Sequence, residues 1–274
     1  MRIALIQMVS SNQVDVSLAS AGMLMEELEG GQVDAIFLPE NFAALGSDDP
    51  YEIGLREQTD KGPVRSFLRE AAIRANCWIF GGTLPIATRP DGSPTAAGKV
   101  RAASLVLDQA GAEVARYDKI HMFDVDVADS HGAYRESNTF EHGTELTLVD
   151  SPCGRVGLSV CYDIRFSELY LSLFKQGAEV LAIPSAFTET TGEAHFELLM
   201  RARAVESFAY SVAACQGGVH DSGRRTYGNS VVVNPWGDVI ARAGRGEQVI
   251  TADIDLVQLK ALRDKMPVLD QRKL

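Results

Sequence analysis

The stretch RAASLVLDQAGAEVARYDK, residues 101–119, decides the fold. Two β-type runs flank a short connection carrying Gly111, the pattern of an antiparallel hairpin. The chain before it has a different pattern. RIALIQM (2–8) and DAIFLPE (34–40) read as strands separated by a helical segment, LASAGMLMEELEG (18–30), that ends on Gly30 and Gly31. A second helix, PVRSFLREAAIRA (63–75), opens on Pro63 and leads into the strand CWIFGGTL (77–84). Strand–helix alternation followed by a hairpin argues against an all-parallel sheet. A hairpin recurs at GNSVVVNPWGDVIARAG (228–244), around the turn NPWGD. The fold expected is therefore α/β, with two mixed sheets packed face to face and each covered by helices on its outer side.

Further strands are expected at LTLVD (146–150), RVGLSVC (155–161), EVLAIPS (179–185), YSVAACQ (210–216) and QVITADIDL (248–256). Helices are expected at Phe166–Gln176 and Glu193–Ser207, and TRPDGSPTAAGK (88–99) reads as a surface loop. No repeat, low-complexity tract or composition break divides the chain, so residues 1–274 read as one domain. With 46% hydrophobic residues the chain has the material for a large core.

A net charge of −11 excludes partners that need clustered Lys and Arg, namely nucleic acid and anionic membrane surfaces. No run is long enough to span a membrane, and MRIALIQMVS enters a strand at once without the pattern of a signal peptide. Cys77, Cys153, Cys161 and Cys215 are scattered with no CxxC pair, which reads as reduced thiols in a cytoplasmic protein. The five histidines form no HExxH pattern, and no metal site or cofactor is expected.

Three expected strand ends carry chemistry where an ordinary strand would pass into a turn: Glu40, Lys119 and Cys161. Ligands bind at the carboxyl ends of strands in helix-covered sheets, so these residues can converge although distant in sequence. A thiol becomes a nucleophile on deprotonation, a carboxylate can take its proton, and an ammonium can hold the resulting oxyanion. Each residue also has an ordinary reading: a small buried cysteine, a turn glutamate after Pro39, a solvated lysine.

These segments resemble the carbon–nitrogen hydrolase (nitrilase) superfamily along nearly the whole chain. LPEN (38–41) resembles the segment bearing the catalytic glutamate, RYDKIHMFDVDV (116–127) that of the lysine, and GLSVCYDIRFSELY (157–170) that of the nucleophile, with Ser167 where relatives often have proline. YRESNTFEHG (134–143) resembles a segment that supplies a second glutamate, here Glu136. PSAFTETTGEAHFELLMRARAVESFAY (184–210) and TYGNSVVVNPWGDVIA (226–241) look like the amidase branch containing deaminated-glutathione amidase and ω-amidase, and Phe196 takes a common tryptophan position.

The resemblance implies a four-layer α-β-β-α sandwich. It implies a cysteine amidase that cleaves a carboxamide of a small acidic substrate to the acid and ammonia through a thioester. The roles implied are Glu40 as base, Cys161 as nucleophile, Lys119 with the Tyr162 backbone N–H at the oxyanion, and Glu136 in support. Arg165, Phe187, Thr188 and His195 are candidate substrate contacts. Arg201 and Arg203 are expected in ion pairs with Glu197 and Glu206, Arg224 and Arg225 in a polar loop are either further candidate cations for the substrate carboxylates or solvent-facing, and His220 is undecided. Deaminated glutathione is the substrate implied first, with α-ketoglutaramate or N-carbamoyl amino acids as alternatives. Self-association, as a homodimer or higher homo-oligomer, is implied through the helices bearing Phe166, Leu169, Tyr170 and Leu173 and Leu198, Leu199, Val205 and Phe208. Two rival readings are a Cys–His hydrolase, for which no histidine sits in a partner motif, and an inactive metabolite sensor on the same fold.

Overall fold

The structure is a computed structural model and describes residues 1–28, 33–129 and 132–273. In chain order the first half runs β1 (Arg2–Gln7), α1 (Val14–Glu26), β2 (Ala35–Phe37), α2 (Pro50–Arg56), α3 (Pro63–Ala75), β3 (Trp78–Phe80), β4 (Leu84–Ile86), β5 (Arg101–Leu107), β6 (Glu113–Asp118), β7 (Asp124–Asp126) and β8 (Ala133–Arg135). The second half runs β9 (Leu148–Ser151), β10 (Gly154–Leu158), α4 (Ser167–Lys175), β11 (Val180–Ala182), α5 (Glu189–Thr191), α6 (Glu197–Ser207), β12 (Tyr210–Ala213), β13 (Val231–Val233), β14 (Val239–Arg242), β15 (Gln248–Asp253) and α7 (Leu256–Lys265).

Two mixed sheets form. In the first the order is β15-β1-β2-β3-β5-β4, with β6 also paired to β5. Strands β1, β2 and β3 are parallel, whereas β15 and the β5–β6 hairpin run antiparallel. The second sheet has the order β14-β13-β12-β11-β10-β9, parallel at β10–β11–β12 and antiparallel at its flanks. The decisive hairpin is present, with a register shift between Val106 and Leu107.

Alternation along the strands assigns the faces. In β1, Ile3 and Leu5 join a core containing Val156, Leu158, Val180 and Val212 from the second sheet. Ala4 and Ile6 instead meet Leu24 of α1 and Val64, Leu68 and Ala72 of α3. Phe37 and Phe80 face Ala182 and Val212 across a small gap between the sheets. On the opposite face of the second sheet, Gly157 lies against Leu173 of α4, where a Cβ would press on the leucine methyls. Each sheet thus buries one face against the other sheet and the other against helices.

The elements differ from expectation in particulars. The first helix starts at Val14 rather than at residue 18, and its expected end at Gly30 and Gly31 lies outside the described residues. CWIFGGTL is two strands, because Gly81 and Gly82 break the run, after which β4 continues along β5 in the same antiparallel sense as β3. The helix expected from Glu193 begins at Glu189 and passes through a π-helical turn, Gly192–Phe196, into α6. Helices α2 and α7 and the β7–β8 ribbon were not expected from the sequence. No helix among the described residues is long and apolar enough to cross a membrane.

Candidate active site

Glu40 lies just beyond β2 and is buried. Gly82, with φ +55°, lets the 80–84 chain pass directly over Pro39, where a Cβ would overlap the Pro39 carbonyl. Thr83 Oγ1 accepts the Asn41 N–H at 2.8 Å, and Gln216 Nε2 donates to the Glu40 carbonyl oxygen at 3.0 Å. The Glu40 backbone is therefore clamped from the first sheet and from the segment after β12.

Lys119 continues β6 by one residue, donating its N–H to Ala102 O at 3.0 Å, and its side chain is 1% exposed. Its Nζ stands 2.8 Å from Glu40 Oε1 and 2.8 Å from each carboxylate oxygen of Glu136. Glu136 opens a 3-10 turn after β8, and its Oε2 accepts the Phe123 N–H at 2.6 Å.

Cys161 follows β10 with φ +46°, a conformation that costs about 1 kcal/mol or more outside glycine. Its N–H donates to Pro184 O at 2.9 Å. The fully buried Asp163 braces the turn: it accepts the Val160 N–H at 2.8 Å, the Tyr117 hydroxyl at 2.8 Å and the His121 N–H at 3.0 Å. His121 Nδ1 lies 2.7 Å from the same carboxylate. One side chain thus fastens the cysteine turn to β6 and to the segment leaving Lys119.

The Cys161 thiol hydrogen-bonds the Glu40 carboxylate and is met by the Ala186 N–H. Burial, reinforced by the Glu40 charge, pushes this thiol well above its ordinary range, and Lys119 only partly opposes the shift. Burial on its own would lower Lys119, but Glu136 and Glu40 outweigh it and hold the ammonium. Burial raises the Glu136 carboxyl against the pull of Lys119. The resting arrangement is a neutral thiol beside an ammonium and two carboxyl groups, so the nucleophile arises by proton transfer within the site.

These groups open on a cavity of about 340 Å³ whose lining includes Glu40, Lys119, Glu136, Cys161, Phe187 and Thr188. Tyr162 lines it as well. Arg165 and His195, candidate substrate contacts in the sequence, are not among the lining residues. The Arg165 guanidinium lies 5.8 Å from the Tyr162 ring and 5.6 Å from the Phe187 ring, and its Nη2 is 3.4 Å from the exposed His195. Among the described residues no group of three or more His, Cys, Asp or Glu side chains is arranged to hold a metal ion.

Residues 2–264 match the family described as Carbon-nitrogen hydrolase. The chain belongs to this family. A deaminated glutathione amidase from Yersinia enterocolitica is 40% identical over 99% of this chain and 92% of its own length. An omega-amidase from Danio rerio is 36% identical over 99% of this chain and 94% of its own. The crystal structure of the Caenorhabditis elegans NitFhit protein superposes with a TM-score of 0.86 at 37% identity, covering 99% of this chain, which spans 65% of that longer one. The carbon-nitrogen hydrolase described here is thus an enzyme that acts on non-peptide carbon–nitrogen bonds.

One cation of this hydrolase's cavity, Arg135, escaped the sequence reading, and Arg224, a candidate there for the substrate's cationic wall, also lines it. Arg135 pairs with Asp126 at 2.7 Å. Arg224 donates Nη2 to the Ala186 carbonyl at 2.7 Å and stands 5.4 Å from the Tyr134 ring. Its neighbour Arg225 is exposed and pairs with Glu189 at 2.7 Å. Arg203 pairs with Glu206 at 2.7 Å, as expected, while Arg201 donates to the Gly237 carbonyl at 2.8 Å and not to an acid. His220 is buried between Ser10 O and Thr226 Oγ1, and burial lowers its pKa. Phe196, in place of a tryptophan, is buried with its ring 5.0 Å from that of Phe187.

Proposed function

We propose that this hydrolase is an amidase whose substrate is deaminated glutathione, working in the cytoplasm as a homodimer or larger homo-oligomer. The observation that carries the chemistry is the Lys119 ammonium, 2.8 Å from both Glu40 and Glu136, beside a thiol hydrogen-bonded to Glu40 at the cavity lining. The names of the relatives support the substrate.

Glu40 takes the proton of Cys161 as sulfur attacks the amide carbon. The oxyanion is held by Lys119 and the Tyr162 backbone N–H. One Lys119 N–H engages Glu40 and another can be shared by both Glu136 oxygens, which leaves a third for the oxyanion. Glu40 then protonates the leaving nitrogen, a thioester remains on Cys161, and Glu40 activates the water that hydrolyses it. Glu136 fixes the lysine throughout. Its carboxylate is in turn fixed by the Phe123 N–H.

The leaving group corrects one expectation from the sequence. Deaminated glutathione is a secondary amide joining a five-carbon 2-oxo diacid to cysteinylglycine, so cleavage releases the dipeptide amine. Ammonia is released from α-ketoglutaramate, which carries the same acyl half. The test is formation of the free 2-oxo diacid from both, alongside N-carbamoyl amino acids and simple nitriles. Deaminated glutathione should lead α-ketoglutaramate in kcat/KM by about tenfold or more. The reverse order moves the assignment to ω-amidase, and activity confined to carbamoyl compounds or nitriles removes it from the amidases.

A further inference from the structure

Among the described residues three cations line the cavity, and two are already matched. Lys119 faces Glu40 and Glu136, and Arg135 faces Asp126. Arg224 takes part in none of the ion pairs among the described residues, and the carboxylates lining the cavity are those of Glu40 and Glu136, both on Lys119. Its Nε is buried without a hydrogen-bond partner. A buried, unmatched guanidinium donor in a cavity wall costs free energy unless a ligand completes it.

Its position is set by the same residue that serves the nucleophile. Ala186 directs its N–H to the Cys161 thiol and its carbonyl to Arg224 Nη2 at 2.7 Å. A single residue spans about 3.5 Å, so with a hydrogen bond on each side sulfur and guanidinium stand within about 10 Å of each other. The face of Tyr134 holds the guanidinium plane from another side.

We propose that Arg224 is a specificity-determining residue that binds the terminal carboxylate of the substrate's acyl half while Cys161 attacks the carbonyl at the other end. This rests on the reading of the acyl half as a five-carbon 2-oxo diacid. In such a chain the carboxylate carbon lies about 5 Å from the amide carbon when extended. Adding the approach of sulfur and one hydrogen bond gives about 9–11 Å, whose lower end lies within that reach. An arginine suits the task because its fork matches a carboxylate with two parallel N–H···O bonds. The same contact serves deaminated glutathione and α-ketoglutaramate alike, since they differ only beyond the scissile nitrogen.

The test compares the native enzyme with Arg224→Gln and Arg224→Lys in two assays. In steady-state hydrolysis of both keto acids, Arg224→Gln should raise KM by roughly 10- to 100-fold with a smaller change in kcat, and Arg224→Lys should recover part of the loss. In the second assay iodoacetamide alkylates Cys161 while 2-oxoglutarate, the free acyl half, protects it. The protecting concentration, scaled to each protein's own unprotected rate, should rise by the same factor in Arg224→Gln. Equal protection of native and variant proteins, or a loss confined to kcat, overturns the proposal. A native enzyme that is neither protected by 2-oxoglutarate nor active on the keto acids overturns it differently, by removing the acyl half on which it rests.

Discussion

At the scale of single residues, the thiolate must be generated on demand. Burial and Glu40 hold Cys161 protonated, so activity should depend on the carboxylate that takes its proton. Glu40→Gln, with the side chain still able to occupy the space beside Lys119, should lower kcat by about 10²- to 10⁴-fold, read in single-turnover assays of thioester formation. Asp163 acts through position. Asp163→Asn sets an amide against the donors Val160 N–H, Tyr117 OH and His121 N–H. It should cost about 2–4 kcal/mol of stability by denaturant titration and also lower kcat, whereas Tyr117→Phe, which removes one donor, should cost about 1 kcal/mol. Glu40, Lys119 and Cys161 stood out in the sequence because each ends a β-type run, and each strand is buried where it reaches the site, which rigidly places the residue at its end. Arg224 was a candidate cation that the sequence could not separate from its neighbour. It sits beside Arg225 in one polar loop, and the Val219–Arg225 bridge sends the two guanidinium groups opposite ways, a tertiary fact with no local pattern. Arg165 drew notice through nearness to Cys161 in sequence, but the 3-10 turn carries it off the cavity lining.

At the scale of elements, the turns after strands do the positioning. Gly82→Ala would require the Pro39 backbone to move, and Glu40 with it. It should cost about 3 kcal/mol or more and most of the activity. Gly92→Ala is the control: it has φ +82° but nothing within 4 Å, so only the strain of about 1 kcal/mol is expected, with kcat/KM unchanged. The loop of residues 88–99 is tied down by Glu141, which accepts Arg89 Nε at 2.7 Å and Ala96 N–H at 2.9 Å and also pairs with Arg101. The Arg89 hydrogen bond, with the Ala96 N–H and Arg101, lowers the Glu141 pKa to about 2. A carboxyl whose folded pKa is depressed contributes fully above its ordinary value of 4.5 and loses that contribution as pH falls toward 2. Glu141→Gln should therefore lower Tm by roughly 3–6 °C near pH 6, and the gap should close progressively below pH 4.5 in calorimetric scans. The long periodic elements were legible in the sequence, as was the hairpin at 101–119. The missed helix α2 has seven residues, too few for a helical period to declare itself, and depends on Pro50 and on the Asp49 side chain accepting the Glu52 N–H.

At the scale of the whole molecule, the two sheets share one core, and helices cover their other faces. That leaves α6 with a second side to account for. Met200 and Ala204 are buried in the core, while Leu198 and Val205, seven residues apart and so on one helical face, are 69% and 45% exposed. The turn after β13 extends the same apolar surface: Gly237 lies against Val205, and its neighbour Trp236 is 64% exposed. Leu, Val and Trp adjoining one another on a surface mark an interface more often than a free face. If this face joins two copies of the chain, the paired substitution Leu198→Glu and Val205→Glu should separate them into monomers, because it places like charges opposite one another across the contact. Both side chains project outward, so the fold of each protomer should lose no more than about 0.5 kcal/mol per site. Light scattering at micromolar concentration reads the mass, and circular dichroism with thermal melting reads the fold. A native protein already monomeric under those conditions would refute this interface. So would a variant that stays associated, since the contact would then lie on another face.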